Sequence, residues 1–452
     1  MHIQVSLIVD IDATADLANM EAQIQAAGHQ AMRQALQQGM RQWELSHRIC
    51  PHCGSGPGRI EGTVARTIQS LFGAVRIARL RIRCQHCFHR FCPAQELLQP
   101  LQRGRVSSAL AEAACLAGSS WPYRHAARVL ARLSGAQISA EEIRLLTNAR
   151  GRAVAKEQEQ EPPRPVPPAR QLVEMEPHPA DRTIIGLDGG WVPNRQRRGG
   201  MEGKVAVVAS HKIIVKEPEL PSGNMSWIEL ERYVQHHRTP VVTRSRWQKR
   251  RYAATFAEAS VIGRQAAQAV QVLGIERQEQ VVVADGAQWI KTQTQQHFSE
   301  ATCILDWPHL WRTMIKAIRA VGLQREEDAK WVSAQSEQLR TWLWKGQIEQ
   351  AQERLQRWQQ EGRGHPKVKA LQAAITYLKN QREWIGNYEE WRKRDYPVGS
   401  GIIERAVAIV INRRMKRRGM SWLRRNATSV VALRVAWLNE DWMRPANARI
   451  YP

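Results

Sequence analysis

Two short β-branched runs that end in Asp-Gly are the clearest apolar pattern in the chain. One is Ile184–Asp188, and the other is Val281–Ala284 followed by Asp285. Apolar runs of this length, bounded by glycine, are typical of buried strands. The pattern therefore predicts that each of these aspartates caps a buried strand.

The same reading predicts a mixed order of elements around these two strands. Further strands are predicted at Val205–Ser210, Ile213–Lys216 and Ala301–Asp306, and a helix near Ala253–Leu273. Residues 310–395 have a helical pattern that Gly362–Pro366 interrupts, and residues 399–445 are predicted to be helical and basic. This order favours an α/β protein in which an all-helical insertion interrupts a mixed sheet.

The first part of the chain has a different pattern. A short strand and then a helix are predicted in residues 1–48, and a hairpin of Thr63–Leu71 and Ala74–Arg83 turns at Gly73. Residues 104–151 favour two helices separated by Gly135, and Ser139 is the expected N-cap of the second. Residues 155–182 are acidic and proline-rich, which is typical of a linker.

These patterns divide the chain into successive segments. In order they are a strand-helix segment (1–48), a zinc-ribbon-like module (49–98), a helical DNA-binding region (99–154), a linker (155–182), the first part of the core (183–309), the helical insertion (310–398) and the C-terminal helices of the core (399–452).

Length and charge narrow the class of protein. A chain of 452 residues predicts two to four domains, and its net charge of +24 favours a polyanionic partner, most often nucleic acid. A ribosome-associated or merely soluble basic protein is the alternative. No secretory signal or bilayer-spanning apolar run is visible, so we expect a cytoplasmic, nucleoid-associated protein with reduced thiols.

Two Cys-x-x-Cys motifs indicate a metal site. Cys50 and Cys53 form the first, Cys84 and Cys87 form the second, and 30 residues lie between Cys53 and Cys84. The predicted hairpin between them would bring the motifs together, and four thiolates would make a closed tetrahedral site for structural zinc. Unrelated buried cysteines and a redox pair are the alternatives. Three further residues are possible substitute ligands: His86, His89 and Cys92.

Two features near the cysteines are open to a DNA-binding interpretation. Arg79, Arg81 and Arg83 alternate onto one face of a predicted strand, where they would contact phosphates or simply face solvent. The helical pair in residues 121–151 fits a helix-turn-helix DNA reader, although generic helix packing explains it almost as well.

Three carboxylates have the chemistry of a site for divalent metal ions. Asp188 and Asp285 end strands, and Glu404 follows the turn Gly399-Ser400-Gly401. Two ions held about 3.5–4 Å apart by such carboxylates can serve both the attacking and the leaving oxygen of a phosphodiester. Magnesium suits this role because it prefers oxygen ligands. A single Asp-Gly pair is also a common turn, so the prediction depends on the three together.

A strongly basic stretch begins at Glu404. Eight basic residues and one acidic residue lie between Glu404 and Arg425. The basic residues are Arg405, Arg413, Arg414, Lys416, Arg417, Arg418, Arg424 and Arg425. This excess suits contact with a phosphate backbone, whereas a solubilising helix face usually mixes charges of both signs.

An ordered set of motifs supports a family resemblance. The motifs are Leu187-Asp188-Gly189, Ala284–Ile290, Asp306-Trp307-Pro308-His309, Gly399–Glu404 and Arg414–Trp422, preceded by the cysteine motifs and the helical pair. With them the sequence resembles bacterial insertion-sequence transposases that have an RNase H-like core and an Asp-Asp-Glu triad, of the Mutator-like, ISKra-type group. The resemblance covers nearly the whole chain.

The resemblance implies the roles of several residues. Asp188, Asp285 and Glu404 would bind two Mg²⁺ (or Mn²⁺) ions in each active site, and residues 310–398 would form the insertion. Asp306 and His309 would belong to the active site, where His309 could donate to a phosphate or a leaving oxygen. A satisfied histidine at the start of a helix is the alternative for His309.

The expected function is DNA transposition. The N-terminal modules would bind the terminal inverted repeats of an insertion sequence, and the core would cut DNA and join it to target DNA. Two ends must meet, so a homodimer or larger synaptic assembly on double-stranded DNA is expected. A non-catalytic DNA-binding regulator derived from a transposase and a cut-only RNase H-like nuclease are the alternatives. Most of the 17 tryptophans are expected in the core, with one or two stacking on unpaired bases.

Overall fold

The computed structural model describes residues 2–12, 14–98, 105–160, 182–216, 241–322, 328–361 and 368–443. The chain divides into two units, one of Met1–Ala155 with Thr428–Pro452 and one of Lys156–Ala427. No described helix is long and apolar enough to cross a membrane. Most of the predicted linker and the break at Gly362–Pro366 lie outside the described residues.

The first unit begins with a helix and a small sheet. Its elements are α1 (Leu17–Ser46), β1 (Arg59–Ser70), β2 (Gly73–Arg83), β3 (Arg90–Phe91) and α2 (Ala94–Leu98). The strands form an antiparallel sheet in the order β1-β2-β3, which confirms the predicted hairpin. The strand predicted before α1 is wrong: residues 2–12 pair with no described strand, and Ile8 there is 84% exposed.

Helix α1 packs on the hairpin through a small apolar cluster. Met40 of α1 meets Ile68, Val75 and Ile77 of β1 and β2 in this cluster. The carboxylate of Glu44 is buried beside it and accepts the backbone N–H of Leu80 at 2.9 Å. Burial raises the pKa of Glu44, and the hydrogen bond offsets part of that cost.

Three helices complete the first part of this unit. They are α3 (Ser108–Ser120), α4 (Tyr123–Ser134) and α5 (Ala140–Gln160). Gly135 ends α4 in the left-handed conformation with φ 69°, where glycine meets no steric penalty. The Ser139 hydroxyl accepts the Glu142 N–H at 3.0 Å, which confirms the predicted N-cap of α5.

The second unit contains a mixed sheet. Its elements are β4 (Arg182–Pro193), β5 (Gly200–Lys216), β6 (Val241–Thr255), α6 (Ala259–Leu273), β7 (Glu279–Ala284), α7 (Gln288–His297) and β8 (Thr302–Leu305). Among the described residues the sheet has five strands in the order β6-β5-β4-β7-β8. Strands β6, β5 and β4 are antiparallel, and β4, β7 and β8 are parallel. The predicted mixed α/β sheet is therefore confirmed.

Three details of the predicted elements change. The two strands predicted in residues 205–216 are one strand, β5, with a register shift between Ala209 and His211. The helix predicted from Ala253 begins at Ala259, because residues 253–255 belong to β6. Strand β6 was not predicted because its sequence is crowded with arginine and lysine and lacks a regular apolar alternation.

The helical character predicted for residues 310–395 is confirmed within the described residues. This segment contains α8 (Trp307–Gly322), α9 (Asp328–Trp344), α10 (Ile348–Glu361), α11 (Val368–Gln381), a 3-10 turn (Arg382–Trp384) and α12 (Tyr388–Lys393). Tyr388 is fully buried, and its hydroxyl donates to the Leu305 carbonyl of β8 at 2.9 Å. This bond ties the insertion to the sheet.

The C-terminal segment is helical in two parts. Helix α13 (Gly401–Val407) continues through a π-helical turn (Ala408–Asn412) into α14 (Arg413–Met415), and α15 (Arg424–Leu438) follows before a 3-10 turn (Asp441–Met443). Residues 416–423 between them are not helical, so the single helical run predicted from 399 to 445 is wrong there. Leu433 and Ala436 of α15 pack with Leu110 and Ile143 of the first unit's helical core.

Candidate functional site

The first two predicted carboxylates lie side by side at one edge of the sheet. Strands β4 and β7 are parallel, and Gly186 pairs with Val283. Asp188 and Asp285 each follow their paired residue by two positions, so they occupy equivalent places at the carboxyl ends of neighbouring strands. Parallel pairing therefore brings together two residues that are far apart in the sequence.

A third aspartate continues this row. Ala284 of β7 pairs with Leu305 of β8, and Asp285 and Asp306 are the next residue on each strand. The Asp306 N–H donates to the Ala284 carbonyl at 2.8 Å, which extends the pairing by one residue. Asp188, Asp285 and Asp306 thus follow one another across the sheet edge.

Glycines on the same face of β4 bring α13 close to this row. Side chains alternate along a strand, so Gly186, Asp188 and Gly190 share one face. A Cβ atom at Gly186 would lie 2.8 Å from Ile403 Cβ, and one at Gly190 would lie 3.0 Å from Val407 Cγ1. Only glycine allows this approach, and it sets the helix that carries the next residue, Glu404, directly against the strand of Asp188.

The electrostatics show that these groups interact. Burial raises the pKa of Asp188 to about 6, and the charges of Asp285 and Glu404 act in the same direction. The Gly189 N–H, 2.6 Å from Asp188 Oδ1, and the nearby His309 act in the opposite direction. The structure thus groups the three predicted carboxylates with His309, and a cluster of this kind favours cations.

The carboxylates differ in exposure and in hydrogen bonding. Asp188 and Asp285 are half-buried, whereas Glu404 is exposed. Ser400 Oγ donates to Glu404 Oε1 at 3.4 Å, and the Ala287 N–H donates to Asp285 Oδ1 at 2.9 Å. Among the residues that the structure describes, these three carboxylates do not offer one oxygen each that lie within 4.8 Å of one another. A pair of ions about 3.5–4 Å apart needs more widely spaced oxygens, and an all-oxygen set suits Mg²⁺ or Mn²⁺.

Asp306 acts on the site through other residues. Its side chain is fully buried and accepts the Ser400 N–H at 2.6 Å, the His309 N–H at 2.8 Å and His309 Nδ1. Burial alone would raise its pKa, but these hydrogen bonds lower it overall, and the same contact raises the pKa of His309. Asp306 therefore orients His309 and the turn that begins α13, which makes it a positioning residue.

His309 occupies the position at the start of a helix that one of its two interpretations predicts, and its role as a donor to DNA stays a prediction. It lies in the first turn of α8, where Asp306 caps its backbone N–H. Its ring is 35% exposed, and only Nδ1 is held by Asp306. The second ring nitrogen, Nε2, is therefore available to a ligand at the sheet edge.

The four predicted cysteines form a compact cluster in the first unit. Cys50 Sγ lies 3.6 Å from Cys87 Sγ, and Cys53 Sγ lies 3.5 Å from Cys84 Sγ. All four sulfur atoms lie within 4.8 Å of one another, a grouping consistent with structural Zn²⁺. The suggested substitutes His86, His89 and Cys92 are not part of the cluster.

The two cysteine motifs fold in the same way. The Cys50 N–H donates to the Ser55 carbonyl at 2.8 Å, and the Cys84 N–H donates to the His89 carbonyl at 2.8 Å. In each motif the residue that follows the second cysteine has a left-handed backbone conformation, with φ 73° at Gly54 and 60° at Phe88. Both motifs thus turn their sulfur atoms inward with one shared loop geometry.

The basic residues that follow Glu404 are exposed, with the exception of Arg414. Arg414 is 1% exposed, and its guanidinium lies 4.9 Å from the centre of the Trp422 ring. Trp422 Nε1 donates to the Met415 carbonyl at 3.1 Å, which fixes the ring beneath it. This buried position does not fit the predicted DNA contact of Arg414. The other basic residues of this segment are exposed: Arg405, Arg413, Lys416, Arg417, Arg418, Arg424 and Arg425.

The structure adds cations that sequence reasoning missed. The tip of the β4-β5 hairpin exposes Arg195, Arg197 and Arg198. The Arg195 N–H donates to the Trp422 carbonyl at 3.0 Å, and the Trp422 N–H donates to the Pro193 carbonyl at 3.0 Å. The hairpin tip therefore lies beside Trp422, which belongs to the second basic segment. The arginine run of the hairpin was visible in the sequence, but only the fold places it next to Trp422.

The three arginines of β2 that were predicted to share one exposed face differ in their exposure. Arg81 and Arg83 are exposed on β2, whereas Arg79 is half-buried. Arg83 lies 3.8 Å from Glu61, so its charge is partly balanced. Their contact with phosphates stays a prediction.

In the helical pair, the exposed basic stripe lies on the first helix. Arg124, Arg128 and Arg132 of α4 are four residues apart, so they share one helix face, and all three are exposed. On α5, Arg144 is instead paired with Glu141, its Nε 2.8 Å from the carboxylate. Sequence reasoning missed the α4 stripe, although its four-residue spacing was a visible signal.

Comparison with the models of known protein families and with curated proteins finds no match to this sequence.

Proposed function

We propose that the chain is a DNA transposase whose active site is formed by Asp188, Asp285 and Glu404. The observation that carries the proposal is the convergence of two strand-end aspartates and a helix glutamate at one sheet edge, with their charges coupled. A mixed sheet interrupted by a helical insertion also agrees with the RNase H-like core that the resemblance implies.

The carboxylates would hold two Mg²⁺ or Mn²⁺ ions, which when bound supply charge stabilisation to the attacking and leaving oxygens. Water would attack the phosphorus, break its bond to O3′ and release a 3′-hydroxyl. That hydroxyl would attack a phosphodiester of the target, which joins the strands and releases the target's own 3′-oxygen. Both steps are displacements at phosphorus, so one site serves both.

The other residues have supporting roles in this proposal. His309, oriented by Asp306 and favoured in its charged form, would donate a proton or a hydrogen bond to the DNA backbone at the sheet edge. The exposed cations of residues 413–425 and of the hairpin tip would bind the flanking phosphates. The four-cysteine module and the α4 stripe would bind the terminal inverted repeats, and two such ends call for a dimer or larger assembly.

The test compares wild type with Glu404→Gln in a nicking and strand-transfer assay with Mg²⁺, on DNA that carries the gene's own flanking ends. We expect the variant to lose cleavage and joining but to keep DNA binding, because amide oxygens bind the metal ions poorly. Glu361→Gln, an exposed change of the same type on α10, is the control and should be fully active.

Each other outcome has a definite meaning. Cleavage retained in Glu404→Gln contradicts the assigned triad. Cutting without joining in the wild type indicates a nuclease, and DNA binding without cutting indicates a regulator.

A further inference from the structure

A cavity of about 670 Å³ adjoins the candidate active site. Trp307 and Pro308 line it from the start of α8, and Val398 and Gly399 line it from the segment before α13. The Trp307 N–H donates to the Val398 carbonyl at 3.0 Å, which joins these two walls. They directly continue the segments that carry Asp306 and Glu404, so a molecule in this cavity would lie next to the proposed reaction.

Two indole rings in the lining are fixed by their neighbours. The rings of Trp307 and Trp344 meet edge to face with centroids 4.8 Å apart, and both residues are half-buried. Tyr388 lies against both rings, with centroids 4.9 Å and 5.7 Å away, and is itself anchored to β8. The cavity therefore presents a rigid aromatic surface, which a flat apolar group can stack on without ordering new side chains.

The lining is also positively charged. Arg340, Lys345 and Arg392 are exposed there, against the single carboxylate of Glu337. Within the described ranges none of the three cations takes part in an ion pair. An aromatic surface can stack on a nucleic-acid base, and cations beside it can bind the phosphate of the same nucleotide.

We propose that this cavity binds one unstacked nucleotide of the DNA strand beside the cleaved bond. Its base would stack on Trp307 or Trp344, and Arg340, Lys345 and Arg392 would contact its phosphates. The volume is ample, since pockets for ligands of comparable size span about 300–1,000 Å³. The inference rests on the proposed function and deepens it, because it selects two tryptophans among the many of the insertion.

The test uses cross-linking of the full chain to a short single-stranded oligonucleotide that carries 5-iodouracil, without Mg²⁺. We expect the cross-links to map to peptides that contain Trp307 or Trp344. Arg340→Ala combined with Arg392→Ala should lower the cross-link yield roughly tenfold, as expected for loss of a bound base and its phosphate. Lys330→Ala combined with Arg357→Ala removes the same charge from exposed positions of α9 and α10 and should change the yield less than about twofold.

Two results would overturn the proposal: cross-links confined to other peptides, or equal losses in the two double variants. Trp344→Leu gives a second measurement, because it should remove the fluorescence quenching of a 2-aminopurine base placed in the same oligonucleotide. Displacement of the oligonucleotide by equimolar free dAMP would assign the cavity to a free nucleotide and also overturn the proposal.

Cross-linking requires neither metal nor cleavage, so this test is separate from the one for the proposed function. A protein that cross-links as expected but does not cut keeps the cavity assignment and loses the transposase assignment. A protein that cuts and joins DNA with unchanged cross-links in the cavity variant loses the cavity assignment alone.

Discussion

At the scale of single residues, the protonation of Asp188 governs the candidate metal site. Burial raises its pKa to about 6, so the side chain is increasingly neutral below that pH. A neutral carboxyl is a poor ligand, because metal binding must release the proton. We therefore expect the Mg²⁺ concentration for half-maximal cleavage to rise as the pH falls through about 6. A half-maximal concentration that stays constant across that range would contradict this.

The same shift predicts an effect on stability. In the folded protein the pKa of Asp188 lies above its ordinary value of 3.8, so folding favours the neutral side chain. The metal-free protein therefore loses stability as the pH rises through about 6 and the buried side chain becomes charged. Asp188→Asn should therefore raise the melting temperature at about pH 8 relative to wild type and have little effect near pH 4. Thermal unfolding without Mg²⁺ at the two pH values measures this, and Asp10→Asn, at an exposed position, is the control.

Arg414 and Arg417 are neighbours in sequence with different surroundings. Arg414 is buried over Trp422, whereas Arg417 is exposed. We expect Arg414→Ala to destabilise the protein by about 1–3 kcal/mol through lost buried contacts, and Arg417→Ala to stay within about 0.5 kcal/mol. Arg417→Ala should instead weaken DNA binding and lower its salt slope by about 1. Denaturant unfolding and salt-dependent binding would show the two effects, and equal unfolding midpoints would refute the packing role.

At the scale of elements, the position of Glu404 near the two aspartates depends on the close packing of α13 against β4. A Cβ atom at Gly186 would come within 2.8 Å of Ile403 Cβ. Gly186→Val should therefore displace α13, destabilise the protein by about 1–3 kcal/mol and abolish cleavage while DNA binding persists. Gly28→Ala, where a Cβ meets nothing within 4 Å, is the control and should leave cleavage unchanged. Full activity of Gly186→Val would show that Glu404 does not depend on this contact.

The two cysteine motifs form one candidate metal site, because the hairpin between them brings their four thiols together. We expect purified protein to contain one Zn²⁺ per chain, and Cys50→Ser to lose the metal and to lower the melting temperature. Cys92→Ser is the matched control, since Cys92 lies outside the cluster and should keep the full zinc content. Elemental analysis decides this, and an absence of zinc from wild type would contradict it.

At the scale of the whole molecule, the excess of positive charge is organised by the fold. The arginine-rich tip of the β4-β5 hairpin lies beside Trp422, in the second basic segment, because Trp422 forms hydrogen bonds with the backbone of the hairpin. The long sequence separation between the hairpin and Trp422 hides this surface. A count of charges indicated a polyanionic partner, but it could not indicate where that partner would lie.

Local sequence patterns were enough to predict several elements of this fold. Strands β4, β7 and β8, the cysteine hairpin and the N-cap of α5 could be predicted, because apolar runs, glycine turns and capping residues act over a few positions. Strand β6 could not, because a strand rich in arginine has no apolar alternation of its own and is stabilised by its pairing with β5.

The way in which these elements combine depends on the folded arrangement. Parallel pairing placed Asp285 beside Asp188, and glycines on β4 allowed α13 to bring Glu404 to them. Burial then gave Asp188 its raised pKa and turned Asp306 into a positioning residue. Each of these results has the same cause: contact distances and the local dielectric depend on residues that are remote in sequence, and no local pattern encodes them.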